Sequence, residues 1–240
     1  GGALGAVLAS VVGVPVIINT VITVPLFSFL GSLGAITIVY VLSKRKGYLS
    51  MYSLILVGVI LNSFFVSIVI FIETIVSADQ LASIFFWLLG NLAHYDGRVF
   101  AVLCAVLAGA FIILCANARR INLISLGEEK AGQLGVRVEQ TKKICFVCAS
   151  VVTGMAVAVS GLIGFVGLVV PHIIRLVWGP DHRLLIPASG MAGGMFLIFS
   201  DTLARVLLIP QELPVGVVTS FIGAPFFIVL LKKKETRRIW

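Results

Sequence analysis

Four groupings of residues in this chain have the types and spacing to do chemistry. Asp201 and Arg205 are four residues apart near one end of an apolar run, so on a helix they face the same way and can pair. Three readings stay open for them: a satisfied ion pair at a helix end, a proton-coupling site, or a charged landing place for a partner. Cys145-Phe-Val-Cys148 has the spacing of a metal or redox pair. No second such pair and no nearby His completes a zinc site. All four cysteines (Cys104, Cys115, Cys145, Cys148) lie in apolar runs and read as small packing residues, with no metal site expected. Ser160 and His172 have the residue types of a protease dyad, but Ser160 lacks a nucleophile-elbow context. His172 sits beside Pro171, where a structural histidine at a helix break is the better reading. The other two histidines, His94 and His182, join no cluster. No catalytic residue is assigned, and the chain is not expected to be an enzyme.

The fourth grouping is the polar stretch from Asn117 to Lys143, the only long polar interval in an oily chain. Ser125 followed by Glu128 has the form of a capping box, with Glu128 and Glu129 well placed in a first helical turn. Gly135 offers a stop. A helix over 126–134 would carry Gly127, Ala131 and Leu134 on one small apolar face. It reads either as an ordinary loop or as a structured island that meets something in water. There is no Gly-x-x-x-x-Gly-Lys-Ser/Thr and no Gly-Lys pair, so any ATP used must be bound by another chain, and no cofactor is expected on this one.

The elements that must position these residues are membrane helices. Of 240 residues, 60% are hydrophobic and 12% charged, far more apolar surface than a water-soluble domain needs. The period-two alternation of a barrel is absent. The net charge of +8 marks topology rather than nucleic-acid binding, because no soluble basic domain carries it. Apolar runs cover approximately 2–20, 24–42, 53–75, 99–118, 143–178, 187–209 and 215–231. The chain opens at Gly1 inside the first run, without an initiator Met or a basic segment, and reads as lacking its first spans.

Basic clusters follow the second run (Lys44, Arg45, Lys46), the fourth (Arg119, Arg120) and the last (Lys232, Lys233, Lys234). The positive-inside rule makes these sites cytoplasmic. The run 143–178 has Lys142 and Lys143 at one end and Arg175 and Arg183 at the other, so both ends belong inside. About 31 residues must then go out and return, where about 20 cross once, so one pass is short or broken. Gly161, Gly164, Gly167 and Pro171 mark the break, which must be buried in protein or line a cavity. The result is about eight passes, with Glu73, Asp79, Asp96, Arg98, Asp201, Arg205 and Glu212 outside. Trp87 and Tyr95 fall at the external boundary, and Tyr40, Tyr48, Tyr52, Trp178 and Trp240 at the internal one. Residues 76–97 read as an external amphipathic helix. Gly190-Met-Ala-Gly-Gly194 reads as a tight helix-packing site.

Several ordered segments together resemble the membrane subunits of ABC importers, in the class that takes up ferric siderophores, haem and cobalamin. They are Ser160-Gly-Leu-Ile-Gly-Phe-Val-Gly-Leu-Val-Val-Pro-His172, Gly179-Pro-Asp-His182, Asp201-Thr-Leu-Ala-Arg205, Glu212-Leu-Pro-Val-Gly-Val-Val-Thr219 and Gly223-Ala-Pro-Phe226. Phe86-Trp-Leu-Leu-Gly90 and Gly2-Ala-Leu-Gly-Ala-Val-Leu-Ala9 also fit, and the resemblance covers nearly the whole chain. It implies an all-α polytopic bundle of the type II importer permease kind, one transmembrane permease domain over 1–240, with the two spans that the family usually has ahead of Gly1 absent. It also implies a homodimer or heterodimer of permeases in a bacterial or archaeal inner or plasma membrane. Two cytoplasmic ATPase subunits that bind the ATP and an extracytoplasmic solute-binding protein would complete the assembly. Membrane lipid would surround it, and nucleic acid would play no part.

By that resemblance the cytoplasmic coupling segment lies within 121–139, with Ser125, Leu126, Gly127, Glu128, Glu129, Ala131, Leu134 and Gly135 meeting the ATPase. Arg205 and Glu212 would dock the binding protein. Ser50, Met51 and Tyr52 would lie near the cytoplasmic gate, with Gly58, Asn62 and the last span lining the pathway beside the 161–171 break. The alternative is a proton-coupled secondary transporter, but it wants ionisable groups at mid-membrane, and Glu73, Asp201 and Arg205 sit near ends. A membrane enzyme ranks third.

The topology is testable by cysteine labelling of a Cys-free variant. Positions in 160–164 should react from outside, and positions in 128–132 and 180–183 only from inside. Reaction of 180–183 from the outside would make 143–178 a single crossing.

Overall fold

The computed structural model describes residues 1–11, 20–45, 48–92, 97–208 and 212–236. Lys46, His94, Tyr95, Asp96, Pro210 and Trp240 lie outside the described residues. The described chain is helical, with ten helices and one two-stranded ladder. In order they are α1 (Gly2–Val11), α2 (Thr20–Ser43), β1 (Lys44–Arg45), β2 (Tyr48–Leu49), α3 (Met51–Glu73), α4 (Ala78–Leu88), α5 (Gly97–Ser125), α6 (Glu128–Gln133), α7 (Val138–Ser160), α8 (Val166–Trp178), α9 (His182–Val206) and α10 (Val215–Thr236). The antiparallel pairing Lys44↔Leu49 and Arg45↔Tyr48 is a small departure from the all-α expectation.

Among the described residues, five helices are long and apolar enough to cross a bilayer: Thr23–Ser43, Tyr52–Glu73, Gly97–Ser125, Val138–Ser160 and His182–Val206. Three shorter apolar helices, Gly2–Val11, Val166–Trp178 and Val215–Leu230, stand where the other expected passes were read. Among the described residues, length and composition alone thus mark five crossings, and the three shorter helices leave the count of about eight without confirmation. Large apolar side chains such as Ile55, Ile112 and Ile198 stand more than 60% exposed, as on helices that face lipid or partner rather than water.

Two compact units form, Gly1–Leu88 with Ala93–Gly161, and Leu89–Leu92 with Leu162–Trp240. In the first, α2 is central and packs on α1, α3 and α7, while α5 packs on α7. The contact of α1 with α2 depends on small residues. A methyl added to Gly5 would fall on the carbonyl oxygen of Phe27, and one on Gly31 would come within 2.6 Å of the carbonyl oxygen of Gly1. Gly1 and Gly5 on one helix, with Ser28, Gly31, Ser32 and Ala35 on the other, bring the two backbones together. The expected packing site at Gly190 and Gly194 differs. Methyl groups at these two α9 positions, which belong to the second unit, would touch nothing within 4 Å, so this pair is not a close-packing site among the described residues. The α4 helix opens at Ser77, whose N–H donates to Gln80 Oε1 at 3.3 Å, and it seats Ile84 in a cluster with Val7, Val69 and Ile72.

The second unit is built around a break in the chain. The α7 helix ends where Gly161 takes φ +69° and its N–H reaches the Val157 carbonyl at 2.9 Å. After the break, Phe165 adopts φ +65°, a left-handed conformation rare for any residue with a side chain. The α10 helix lies against this turn through two glycines seven residues apart. Gly216 faces the carbonyl oxygens of Leu89 and Leu162, and Gly223 lies directly under the Phe165 side chain. Val215, Val218 and Ala204 form the adjoining core with Ile163 and Ile222 packed on it.

A methyl at Gly223 would overlap Phe165, whose side chain is tied to an unusual backbone and cannot withdraw. Gly223→Ala should cost about 1–3 kcal/mol by overpacking. Gly194→Ala, where nothing is close, should be neutral or slightly stabilising because Ala favours the helix. Thermal unfolding of both variants in detergent would show it, and equal midpoints for the two would refute the packing account.

Candidate functional site

The polar island belongs to the first unit and is built from the end of α5, α6 and the start of α7. Leu126 and Gly127 N–H groups close the end of α5 on Leu123 and Ile124 carbonyls, at 3.1 and 3.0 Å. Gly127, at φ +120°, then turns the chain into α6. At the far end Gly135 takes φ +80°, and the Gly135 and Val136 N–H groups reach back to Gly132 and Ala131 carbonyls at 3.0 Å each. Gly135 thus provides the expected stop.

Three details differ from the sequence expectation. Ser125 is not a cap: it is the last residue of α5, and its hydroxyl donates to the Asn122 carbonyl at 2.6 Å, a local bond that Ser makes readily. The N-cap of α6 is Gly127, with no side-chain bond, and the helix covers 128–133 rather than 126–134. Glu128 does not reach back to Ser125, because Lys142 claims it. The Lys142 Nζ lies 2.6 Å from Glu128 Oε2 and 3.4 Å from Glu139 Oε1. This lysine is buried, so its charge is matched by two carboxylates at the place where it leaves water, as burial requires. The link spans fourteen residues of chain and staples α6 to α7.

The third difference concerns the apolar face. Ala131 is fully buried within this chain, so it cannot be the centre of an exposed contact. Leu126 and Leu134 are instead 65% and 63% exposed, one at each end of α6. Gly127, Glu129 and Gly135 are exposed beside them. The island therefore presents two apolar side chains on a stapled support. Lys142 was missed as a site residue. The available signal was a lysine only two residues before the apolar stretch that opens at Ile144, with Glu139 three residues ahead of it.

The remaining expected positions fall elsewhere. Ser50 caps α3, its Oγ accepting the Ser53 N–H at 3.3 Å. Met51 begins that helix, and Tyr52 stands 77% exposed. Gly58 is half-buried and Asn62 exposed on α3. Gly161 and Gly164 belong to the break, while Gly167 and Pro171 lie inside α8 rather than in it. Ser160 donates its hydroxyl to the Ala156 carbonyl at 2.8 Å, and His172 meets Phe227 edge to face at 6.5 Å, so neither is poised for nucleophilic chemistry. Arg205 grips Asp201 through two nitrogens at 2.9 and 3.3 Å and reaches Glu212 at 3.7 Å. All three groups keep solvent access, so the cluster contributes little to stability.

Comparison with known proteins gives this arrangement its family. Residues 1–233 match the FecCD transport family. The chain belongs to that family. Among its relatives, it is 40% identical to the uncharacterized ABC transporter permease protein YvrB of Bacillus subtilis, over 98% of this chain and 67% of the relative. It is 41% identical to the cobalamin import system permease protein BtuC of Halobacterium salinarum, over 100% of this chain and 63% of that one. The hemin transport system permease protein HmuU of Yersinia pestis is 38% identical, over 88% and 63%. The chain thus spans about two thirds of the length of these relatives. A solved structure described as an inward-facing metal-chelate type ABC transporter superposes with a TM-score of 0.87 at 30% identity, covering 97% of this chain and 73% of that one. The FecCD fold is thereby the fold of this chain.

If the Lys142 staple fixes α6, Lys142→Met should free it at a cost of about 1–2 kcal/mol, between an exposed and a buried pair. Amide exchange in 128–133 should then quicken by a factor of about 5–30. Unchanged exchange there would show that the turns alone hold the island.

Proposed function

We propose that this chain is the membrane permease of an ABC importer for an iron chelate, haem or a cobalamin-type cargo, driven by separate ATPase subunits. The observation that carries the reading is the stapled island of a FecCD chain, with Leu126 and Leu134 exposed at either end of α6. Two apolar side chains held on a rigid polar support suit a protein partner better than water. The partners follow from the family. They are a second permease, as homodimer or heterodimer, two cytoplasmic ATPases at the 125–135 segment, and an external solute-binding protein. The setting is the inner or plasma membrane of a bacterium or archaeon.

Leu126, Gly127, Glu129, Leu134 and Gly135 then form the ATPase contact, with Glu128 and Ala131 supporting it from within and Ser125 ending the helix before it. The Asp201–Arg205–Glu212 cluster supports a docking role on the external side, since a solvent-exposed charged group can steer a partner without stabilising the fold. Ser50, Met51, Tyr52, Gly58, Asn62 and the Gly161–Pro171 segment are assigned to the pathway and its gate. Nearness of the ionisable groups to helix ends favours this reading over proton-coupled transport.

The test is ATP-driven uptake and ATPase co-purification in the assembled transporter. Leu134→Asp should preserve insertion but weaken ATPase association about tenfold or more, the loss expected when a buried leucine contact becomes a charge. Ala131→Arg is a poor test, because it would break the island itself. In the same assay Arg205→Glu should reduce delivery by the binding protein in a salt-dependent way, leaving ATPase association intact. Full uptake and association in the Leu134 variant would reject the coupling role, and uptake without any ATPase would reject the importer.

A further inference from the structure

Six Lys or Arg and three Glu lie between Asn117 and Lys143, and the structure sorts them unevenly. Lys142 takes both Glu128 and Glu139. Arg120 is left with a neutral partner, donating from Nη1 to Asn117 Oδ1 at 3.1 Å. That amide is itself fixed, since Asn117 Nδ2 donates to the Ile113 carbonyl at 2.8 Å. Arg120 and Arg137 line one cavity of about 310 Å³ together with Gly135 and Gln140. Among the described residues no carboxylate pairs with either guanidinium. Two forked cations and an amide donor around a cavity without an acid suit a phosphate group.

The depth of the cavity identifies the source of that phosphate. The α5 helix has 29 residues, about 43 Å at 1.5 Å per residue, and so exceeds the roughly 30 Å hydrocarbon core. Its apolar stretch ends at Ala118, and Arg119 and Arg120 follow at once. On α7 the apolar stretch begins at Ile144, with Gln140 and Arg137 one to two turns before it. Both walls of the cavity therefore lie at the level of the lipid headgroups on the side marked by the basic clusters. Basic pockets between helices at that level hold anionic headgroups. We propose that the cavity between α5 and α7 binds the phosphate of an anionic phospholipid, through Arg120 and Arg137 with Gln140 as a further donor. A lipid seated there touches Gly135 and so bears on the end of the island. The site stands on membrane embedding and geometry alone, whatever cargo or ATPase the chain uses.

The test uses the purified full-length permease in nanodiscs and native mass spectrometry of lipids retained after transfer to detergent. Dioleoyl phosphatidylglycerol should be retained in preference to dioleoyl phosphatidylcholine. Each arginine should contribute about fivefold, so Arg137→Gln should cut retention by about that factor and the Arg120→Gln, Arg137→Gln pair by more. Arg119→Gln, outside the cavity lining, should leave retention unchanged. Among the described residues the Arg137 guanidinium makes no hydrogen bond, and the carbonyl that accepts from Thr141 is kept in Arg137→Gln, so this single variant decides the matter where the double variant fails to fold. Equal retention of the two lipids, or no loss on Arg137→Gln, would overturn the proposal. Displacement of the lipid by millimolar inorganic phosphate would assign the site to free phosphate and overturn the lipid source. Loss of ATPase association without any lipid preference would assign it to an acidic side chain of the partner instead.

Discussion

A backbone that leaves the helix inside an apolar protein has nowhere to put its N–H and C=O groups except against other protein. This chain does so at 161–165, and the architecture of its second unit follows from covering that break. Gly161 and Phe165 both take positive φ, which shortens the turn but leaves it needing close cover. Gly216 and Gly223 on α10 provide it by letting backbone and side chain approach where any Cβ would intrude. Thr219 lies between them, fully buried, and spends its hydroxyl on the Gly216 carbonyl at 3.1 Å. The short α8 then packs on α9 through Val170, Ile174 and Leu185. A 13-residue α8 is thus a consequence of the break and not of a weak helix.

The island in the first unit obeys a different constraint. Six residues of α6 cannot hold a helix alone, because nucleation costs more than so few hydrogen bonds return. Turns at Gly127 and Gly135 set its length, buried Ala131 seats it, and Lys142 ties its first residue to α7. Each support comes from a neighbour rather than from helix propensity. What remains exposed is a short surface with Leu126 and Leu134 at its ends, which in the proposed coupling role would pass a push from an ATPase into α5 and α7. A flexible loop of the same composition would absorb that push.

Much of this was legible in the sequence, and the failures have physical causes. The helical runs, the polar island, the stop at Gly135 and the break near Gly161 all follow from hydropathy and glycine placement, which depend on local chain chemistry. The family was legible too, because many ordered motifs had to agree. The capping box at Ser125 failed because two local bonds competed for the same hydroxyl, and the one inside α5 won. The face containing Ala131 failed because periodicity says which residues share a side but not which neighbour covers it. The close packing of α1 on α2 went unread for the same reason. Gly1, Gly5 and Gly31 are as plain in sequence as Gly190 and Gly194, yet only the first set meets another backbone.

The charges of this protein divide by what answers them, and that division separates structural from functional use. Lys142 is buried and answered twice, so its charge is spent on holding the island. Arg205 is answered by Asp201 and Glu212 but remains in solvent, where an ion pair adds little stability and can be exchanged for a partner's at small cost. Among the described residues Arg120 is answered by an amide alone, and amides orient a guanidinium without neutralising it. A cation that is positioned but not neutralised keeps its attraction for an outside anion, which a matched pair has largely lost. The degree of internal matching thus falls from Lys142 through Arg205 to Arg120, and the capacity to bind something outside the chain rises in the same order.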